Sequence, residues 1–200
     1  MGWAKQMLRY LAGSPDRGIV LDPGDRLFLH GGSDADWGGD VLSEKSTGGG
    51  YLMLGKQALI TCFSKLQRKV ADSSTHAETY AAHTMVQVVI EVYEKLKEMG
   101  EEVPLPVPLL QDNNGVLKMS KNPVAHAASK HYRIPQAFIR GEVEGGLVEF
   151  EPVDSDSNPA DVFTKPSQPA KFKRDVDSIW GRSSTVPALR GRVSAISLCA

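Results

Sequence analysis

Four acidic residues stand where carboxylates can do chemistry, each beside an apolar segment. They are Asp34, Glu78, Asp112 and Asp161. Carboxylates are rarely buried unless they are paired or bind a cation, and oxygen ligands suit Mg²⁺ or Mn²⁺. Two such ions about 4 Å apart activate water and stabilise a leaving oxygen in phosphodiester cleavage. If the four side chains converge, the sequence predicts a metal-dependent nuclease.

Each of these acids also has a purely structural interpretation. Thr75 and Glu78 have the spacing of a helix capping box. Asp161 is able to complement a helix dipole, and Asp112 precedes an Asn-Asn-Gly turn sequence. Asp34 can be an ordinary loop acid. Spacing alone leaves the structural and the catalytic interpretations open for all four residues.

Periodicity predicts the elements that would position the acids. Predicted strands cover residues 18–21, 26–30, 50–54, 58–63, 107–111 and 147–153, and predicted helices cover 3–12, 74–99, 113–120 and 131–144, with a last helix starting at Asn158. Asp34 and Asp112 follow strands, Glu78 begins the apolar stripe of the longest helix, and Asp161 lies in the first turn of the last helix. Hairpin strands followed by α/β crossovers predict an α/β fold, a mixed sheet with helices on its faces.

Composition narrows the possible functions. The 200 residues are 41% hydrophobic, with 23 Lys and Arg against 24 Asp and Glu, a net charge of −1. This balance argues against a tail-type nucleic-acid binder, whose affinity rests on a large basic excess, and allows an enzyme with a local basic patch. No run reaches the ~20 apolar residues of a membrane span. Two distant cysteines, Cys62 and Cys199, favour a reducing intracellular compartment.

Five motifs occur in the order known from one protein family. They are SDADWGGD with KSTG (33–40 and 45–48), SSTHAETY (73–80), DNNG with KNP (112–115 and 121–123), KH with FIR (130–131 and 138–140), and NPADVFTKP (158–166). They resemble SDADWAGD…KSTSGY, SSTEAEY, DNQSA…KNP, TKHIDIRYHFIRE and QLADILTKP. These patterns belong to the ribonuclease H domain that follows the reverse transcriptase in copia-type LTR-retrotransposon Pol polyproteins. The resemblance covers roughly residues 4–166.

The resemblance implies a ribonuclease H-like fold with a five-stranded mixed sheet flanked by helices. It implies hydrolysis of the RNA strand of RNA–DNA hybrids with two Mg²⁺ ions, for which Mn²⁺ substitutes. Carried over residue by residue, the catalytic and metal-binding set is Asp34, Glu78, Asp112 and Asp161. Asp34 would bridge both ions, Glu78 and Asp112 would complete the shell of one, and Asp161 would hold the other. The products would carry 5′-phosphate and 3′-hydroxyl ends.

Two further groups are candidates for binding the hybrid. Ser73, Ser74 and Thr75 precede the acidic helix, where their hydroxyls would reach RNA 2′-hydroxyls, or would simply cap that helix. The basic residues Lys65, Arg68 and Lys69 would meet backbone phosphates, or form a solvated loop.

The resemblance also predicts the organisation of the chain. Residues 1–25 would be a remnant of the reverse-transcriptase connection plus a linker, and residues 26–166 the ribonuclease H-like domain. Residues 167–200 would be a basic, weakly ordered tail. A reverse-transcriptase domain of the parent polyprotein is the expected partner, with no membrane. The expected location is the cytoplasm, including virus-like particles, or the nucleus.

Some positions depart from the family pattern. Residues 48–50 contain extra glycine, and Pro135 stands within a predicted helix. The sequence also lacks the polymerase, so the alternative hypothesis is a catalytically silent fragment or a decayed copy of the element. Such a copy would keep only the fold or a nucleic-acid-binding role.

Overall fold

A six-stranded mixed sheet with helices on both faces organises the chain. The structure is a computed structural model that describes residues 2–15, 17–22, 24, 26–122 and 130–180. The strands are β1 Leu21–Asp22, β2 Leu29–Asp36, β3 Thr47–Leu54, β4 Gln57–Leu66, β5 Val107–Gln111 and β6 Val148–Pro152. The helices are α1 Gly2–Ala12, α2 Ser74–Glu98, α3 Asn114–Lys121, α4 Lys130–Glu144 and α5 Pro169–Ile179, with short 3₁₀ helices at Ser155–Ser157 and Pro159–Phe163.

The sheet order is β1-β4-β3-β2-β5-β6, with β2 at the point where antiparallel and parallel pairing meet. β2 pairs with β3 in antiparallel register, so that Asp34 lies opposite Gly49. On its other side β2 runs parallel to β5, with Gly32 opposite Leu110. The predicted α/β class is confirmed. The sheet has a sixth strand because the two-residue β1 pairs with the edge of β4.

Alternation along β3 separates two layers of core. Leu52 faces the larger core, which includes Met85 and Val89 of α2 and Ile139 of α4. The neighbouring residues Tyr51 and Met53 point to the opposite face, where the second core contains Ala160 and Ile179. Because successive side chains of a strand point to opposite faces, one strand builds both layers.

The predicted apolar stripe that begins at Glu78 is buried along most of α2. Glu78, Ala82, Met85 and Val89 of α2 are buried against the sheet. Val92 and Leu96 pack at the edge of the same core. The predicted helix extends to Met99, but this residue follows α2 as its C-cap and is 75% exposed.

Three predicted elements differ from the structure. The predicted strand 18–21 is reduced to the two-residue β1, Leu21–Asp22. The predicted strand 26–30 extends as β2 to Asp36, so Asp34 lies within the strand rather than after it. A Cβ on Gly31 would lie 2.3 Å from the main-chain oxygen of Tyr51, so glycine here permits close strand packing instead of a turn. The predicted α-helix after Asn158 is a 3₁₀ helix, Pro159–Phe163.

The predicted weakly ordered tail is also wrong for its first part. Residues 169–179 form α5, in which Val176 and Ile179 are buried against the sheet. The apolar spacing of Phe172, Val176 and Ile179 fits a helix, and this pattern was obscured by the surrounding basic residues. The rest of the predicted tail, residues 181–200, lies outside the described residues.

The N-terminal segment contacts this same helix. Arg17 pairs with Asp177 at 3.0 Å, and the Val20 amide donates to the main-chain oxygen of Trp180 over 2.9 Å.

Pro135 lies inside α4, which continues on both sides of it. Among the helices of the described ranges, none combines the length and the apolar character needed to cross a membrane.

Candidate active site

Three of the four predicted acids meet at one end of the sheet. Asp34, Glu78 and Asp112 each place a carboxylate oxygen within 4.8 Å of the others, and they are called the acidic triad below. Asp34 and Glu78 are 1% and 6% exposed, and Asp112 is half-buried. The three side chains therefore converge, as the catalytic interpretation requires and as spacing alone did not establish.

Strand register explains why Asp34 and Asp112 meet. β2 and β5 are parallel neighbours, with Gly32 opposite Leu110. Asp34 and Asp112 each lie two residues further along their chains, so they reach the same level at the same sheet end. Equal steps along parallel strands place the two side chains side by side.

Glu78 approaches the pair from the first turns of α2. The cap of this helix is Ser73, whose Oγ accepts a hydrogen bond from the His76 amide over 3.2 Å. The Thr75–Glu78 capping-box interpretation is therefore wrong, because the cap lies two residues earlier. Glu78 Oε2 is buried and has no hydrogen-bond partner among the described residues. An orphaned carboxylate oxygen of this kind fits a cation ligand.

Asp161 lies beside the acidic triad, not within it. Its carboxylate is buried on the Pro159–Phe163 3₁₀ helix and is held by two lysines. Lys165 Nζ lies 2.9 Å from its Oδ1, and Lys171 Nζ lies 3.3 Å from its Oδ2. Lys165 Nζ is also 3.7 Å from Asp34 Oδ2, so this lysine links Asp161 to the triad.

Several polar residues that the sequence analysis missed position these acids. Thr164 Oγ1 donates a hydrogen bond to Asp34 Oδ2, and Asn158 Nδ2 donates to the main-chain oxygen of Ser33 over 3.1 Å. On the other side, the fully buried Gln111 joins β5 to β2 through a 3.4 Å contact from its Nε2 to Ser33 Oγ. Thr164 and Asn158 both belong to the NPADVFTKP motif, which was the signal available for them.

A glycine in β3 allows the Pro159–Phe163 3₁₀ helix to pack closely against the strand. A Cβ on Gly49 would lie 2.6 Å from Phe163 Cβ and 2.8 Å from Thr164 Cγ2, closer than side-chain atoms approach. Because Gly49 faces Asp34 across the strand pair, its missing side chain lets Thr164 reach that carboxylate. The extra glycine in this segment is thus a packing requirement of the site.

Burial strongly affects protonation in the acidic triad. Burial, together with the negative charges of Asp34 and Asp112, raises the pKa of Glu78 to about 9. Burial also raises the pKa of Asp34 to about 6, against the opposing effects of Thr164 and Lys165. Without a cation, the site therefore retains protons that ordinary carboxyl groups have lost at neutral pH.

Lys165 shows the complementary effect. Burial by itself lowers the pKa of this ammonium group, but its hydrogen bond to Asp161 and the charge of Asp34 outweigh burial. The resulting pKa lies above that of an ordinary lysine. Lys165 is therefore a permanent positive charge beside the triad.

The predicted phosphate-binding residues line a groove between β4 and α2. Lys65, Arg68 and Lys69 are exposed along this 460 Å³ cavity, which Tyr80 and His83 line from the helix. Gly48 also lines the groove and pairs with Ala35, the neighbour of Asp34. The groove therefore begins one residue from the acidic triad.

The three hydroxyl residues before the acidic helix differ in their contacts. Ser73 is the helix cap, as the structural interpretation proposed. Thr75 packs against Gly115, where a Cβ would lie 2.6 Å from its Cγ2, and its Oγ1 lies 3.4 Å from Asn113 Oδ1. Ser74 is exposed at the start of α2, and its hydroxyl is the most accessible of the three.

Known proteins resemble this chain over most of its length. The chain is 37% identical over 169 residues to the retrovirus-related Pol polyprotein from transposon RE2 of Arabidopsis thaliana, a match that covers 84% of this chain. It is 37% identical over 175 residues to the corresponding polyprotein from transposon RE1 of the same plant, covering 88% of this chain. The chain spans 12% of the length of each polyprotein. No protein-family model matches it.

Among solved structures, RNase H1 from the halophilic archaeon Halobacterium salinarum is similar to this chain. The superposition has a TM-score of 0.47 at 16% sequence identity, and it covers 68% of this chain and 93% of the archaeal chain.

Proposed function

Since most of this chain is homologous to a segment of retrotransposon Pol polyproteins, we propose that it is a ribonuclease H domain that cleaves the RNA strand of RNA–DNA hybrids. The observation that carries this proposal is the convergence of Asp34, Glu78 and Asp112 within 4.8 Å. Oxygen donors at this spacing suit Mg²⁺ or Mn²⁺, and buried acids of like charge need such a cation.

The acidic triad would hold one divalent ion, with the unpartnered Glu78 Oε2 as a ready ligand. Asp161 would complete a second position together with Asp34, as the family pattern implies. Bound ions at such a site lower the pKa of the attacking water and stabilise the leaving 3′ oxygen. The products would carry 5′-phosphate and 3′-hydroxyl ends.

The hybrid would lie across the groove between β4 and α2. Lys65, Arg68 and Lys69 would contact backbone phosphates there, and their exposure leaves the three charged groups free to do so. Ser74 would meet a 2′-hydroxyl of the RNA strand, which distinguishes RNA from DNA at a contact. Ser73 and Thr75 would act mainly by holding the start of α2 in place.

The expected partner within the parent polyprotein is a reverse-transcriptase domain, and the expected location is the cytoplasm or the nucleus. In this proposal, residues 26–166 form the nuclease domain. The α5 helix adds to it through Lys171, which pairs with Asp161.

Cleavage of a labelled RNA–DNA hybrid tests the proposal directly. The wild-type chain with Mg²⁺ is expected to cut the RNA strand and to leave the DNA strand intact. Asp112→Asn keeps the size of the side chain and removes its charge, so we expect at least a hundredfold slower cleavage. Equal rates for the two proteins would contradict the assignment, because a contaminating nuclease would then account for the activity.

Thermal unfolding with Mg²⁺ separates an active site from the silent-fragment alternative. A ligand that binds only the folded state raises the melting temperature, so the wild-type chain is expected to be stabilised by Mg²⁺. Asp34→Asn and Glu78→Gln are expected to lose this stabilisation. A wild-type chain without any shift would favour a fragment that keeps only the fold.

A further inference from the structure

Lys165 places a positive charge between two acids of the proposed metal site. Its Nζ lies 2.9 Å from Asp161 Oδ1 and 3.7 Å from Asp34 Oδ2. Both carboxylates are almost completely buried, whereas the Lys165 side chain is 37% exposed, so it reaches inward from the surface. An ammonium group in this place offsets part of the negative charge of the two carboxylates, as a bound metal ion would.

Glu78 and Asp112 differ from Asp161 in their distance from positively charged side chains. Among the described residues, no ion pair within 4.0 Å involves Glu78 or Asp112. Glu78 Oε2 and Asp161 Oδ1 both lack a geometric hydrogen bond in the same part of the chain, but only the Asp161 oxygen has an ammonium group beside it, Lys165 Nζ at 2.9 Å. The part of the triad formed by Glu78 and Asp112 is therefore open to a cation, whereas Asp161 and Asp34 already have Lys165 beside them.

Of the two lysines that contact Asp161, Lys165 is the one that can move away from it. Lys171 also contacts Asp161, but its Nζ lies 3.1 Å from the buried Asp175 as well and donates to the main-chain oxygen of Asp156 over 2.9 Å. Moving Lys171 would leave the buried Asp175 with a single ion-pair partner among the described residues, the half-exposed Arg174 at 3.2 Å, which is costly. Lys165 is more exposed than Lys171 and can turn outward into water.

We propose that Lys165 is an internal cation that keeps Asp161 from acting as a metal ligand, so that the protein alone binds one divalent ion. The second ion enters when Lys165 moves outward, and a backbone phosphate of a bound hybrid is a suitable new partner for the ammonium group. This inference rests on the proposed function, because it assumes that the acidic triad binds a divalent ion.

Titration of the protein with Mn²⁺ in the absence of nucleic acid tests the proposal. Calorimetry gives the number of ions bound, and the paramagnetic resonance of free Mn²⁺ gives the same number independently. Wild-type protein is expected to bind one ion. Lys165→Gln is expected to bind two, with the second at least about tenfold tighter than any second ion of the wild type, because a nearby positive charge is gone.

Three further variants serve as controls. Lys165→Arg keeps the charge and is expected to bind one ion, like the wild type. Lys97→Gln removes one exposed positive charge at the far end of α2 and is expected to change nothing. Lys165→Met keeps the aliphatic stem, and it replaces Lys165→Gln if circular dichroism shows that Gln prevents folding.

The outcomes separate this inference from the proposed function. A wild-type chain that already binds two ions, or charge-removing variants that gain none, would overturn the role of Lys165 and leave the nuclease proposal standing. A wild-type chain that binds no Mn²⁺, together with equal hybrid cleavage by the wild type and Asp112→Asn, would overturn both proposals.

Discussion

Asn158 and Ser33 are joined by a hydrogen bond of 3.1 Å from the Asn158 side-chain amide to the Ser33 main-chain oxygen. Ser33 precedes Asp34 in β2, and Asn158 caps the 3₁₀ helix that contains Asp161, where its Oδ1 accepts from the Ala160 amide over 3.1 Å. Two acids that are far apart in sequence are therefore held together by one fully buried amide side chain.

Asn158→Ala is expected to lower the free energy of unfolding by about 2–4 kcal/mol. The substitution removes a helix cap and leaves a buried carbonyl oxygen without its partner. Urea denaturation of both proteins measures this difference. Asn114→Ala, at an exposed helix position, is the matched control, with an expected change of under about 0.5 kcal/mol. Similar losses for both variants would contradict the positioning role of Asn158.

Gly49→Ala is expected to displace the 3₁₀ helix from the sheet. The new methyl group would lie 2.6 Å from Phe163 Cβ, and relieving this contact should cost about 1–3 kcal/mol of stability. The stabilisation by Mg²⁺ should also fall, because Thr164 would move away from Asp34. Gly48→Ala is the control, since its nearest contact would be an ordinary 3.4 Å. Equal effects of the two substitutions on thermal unfolding would refute the prediction.

Stability without metal should fall as the pH rises, because of Glu78. Its pKa in the folded state is raised to about 9, so between pH 4.5 and about 9 the folded state binds more protons than the unfolded state. The stability from this proton is complete below its unfolded pKa and disappears as the pH passes through the folded one. The slope reaches at most about 1.4 kcal/mol per pH unit for one such group.

Urea denaturation with a chelator over this pH range measures the slope. Glu78→Gln is expected to flatten the slope above about pH 6, where the raised pKa of Asp34 no longer contributes, and to be more stable than the wild type at pH 8. Glu94→Gln, an exposed residue of the same helix, should retain the wild-type slope. An unchanged slope in Glu78→Gln would show that other groups cause the pH dependence.

The groove between β4 and α2 should account for part of the salt dependence of hybrid binding. Changing Lys65, Arg68 and Lys69 together to Gln is expected to weaken binding and to lower the slope of log affinity against log salt by about 2.7, or about 0.9 for each phosphate contact. Fluorescence anisotropy measures both quantities, and an Asp112→Asn background prevents cleavage. The effect should be similar for different hybrid sequences, because phosphate contacts do not read bases.

Three exposed basic residues outside this groove provide the matched control. Lys56, Lys97 and Arg133 changed together to Gln remove the same charge. This variant is expected to lower the slope by less than one. If both triple variants reduce the slope equally, only the net charge matters and the groove has no special role.

The sequence predicted the elements of the site better than their connections. Strand and helix periodicity placed Glu78 on α2 and Asp112 at the end of β5, because burial against a sheet imposes a regular apolar spacing. It placed Asp34 just after the first strand of the site, whereas Asp34 lies within β2. The extent of β2 was missed because Gly31 and Gly32 are usually turn residues. Here they lie in a strand, where a Cβ on Gly31 would lie 2.3 Å from the Tyr51 main-chain oxygen and one on Gly32 would lie 3.2 Å from the Tyr51 ring.

The contacts of Asp161 could not be predicted from spacing. Its pairing with Lys171 depends on α5, which was expected to be part of a weakly ordered tail. The pairing with Lys165 joins side chains four residues apart, but its link to Asp34 crosses 131 positions, and no local pattern encodes such a distance. Long-range polar contacts depend on the packed structure, whereas apolar periodicity is local.

Ser73 and Ser74 should have separable roles although they are neighbours. Ser73→Ala removes the cap of α2 and is expected to cost about 0.5–2 kcal/mol of stability in urea denaturation. Ser74→Ala changes an exposed residue, so its stability should stay within about 0.5 kcal/mol of the wild type. The free energy of unfolding should therefore fall in Ser73→Ala and stay nearly unchanged in Ser74→Ala.

Binding should show the opposite order. If the Ser74 hydroxyl contacts an RNA 2′-hydroxyl, Ser74→Ala loses roughly 1 kcal/mol of hybrid affinity, about fivefold, and little affinity for a DNA duplex of the same sequence. Anisotropy with both duplexes, again in the Asp112→Asn background, measures this preference. Equal losses on hybrid and DNA would assign Ser74 to the phosphate backbone, and no loss on either would remove it from the binding surface.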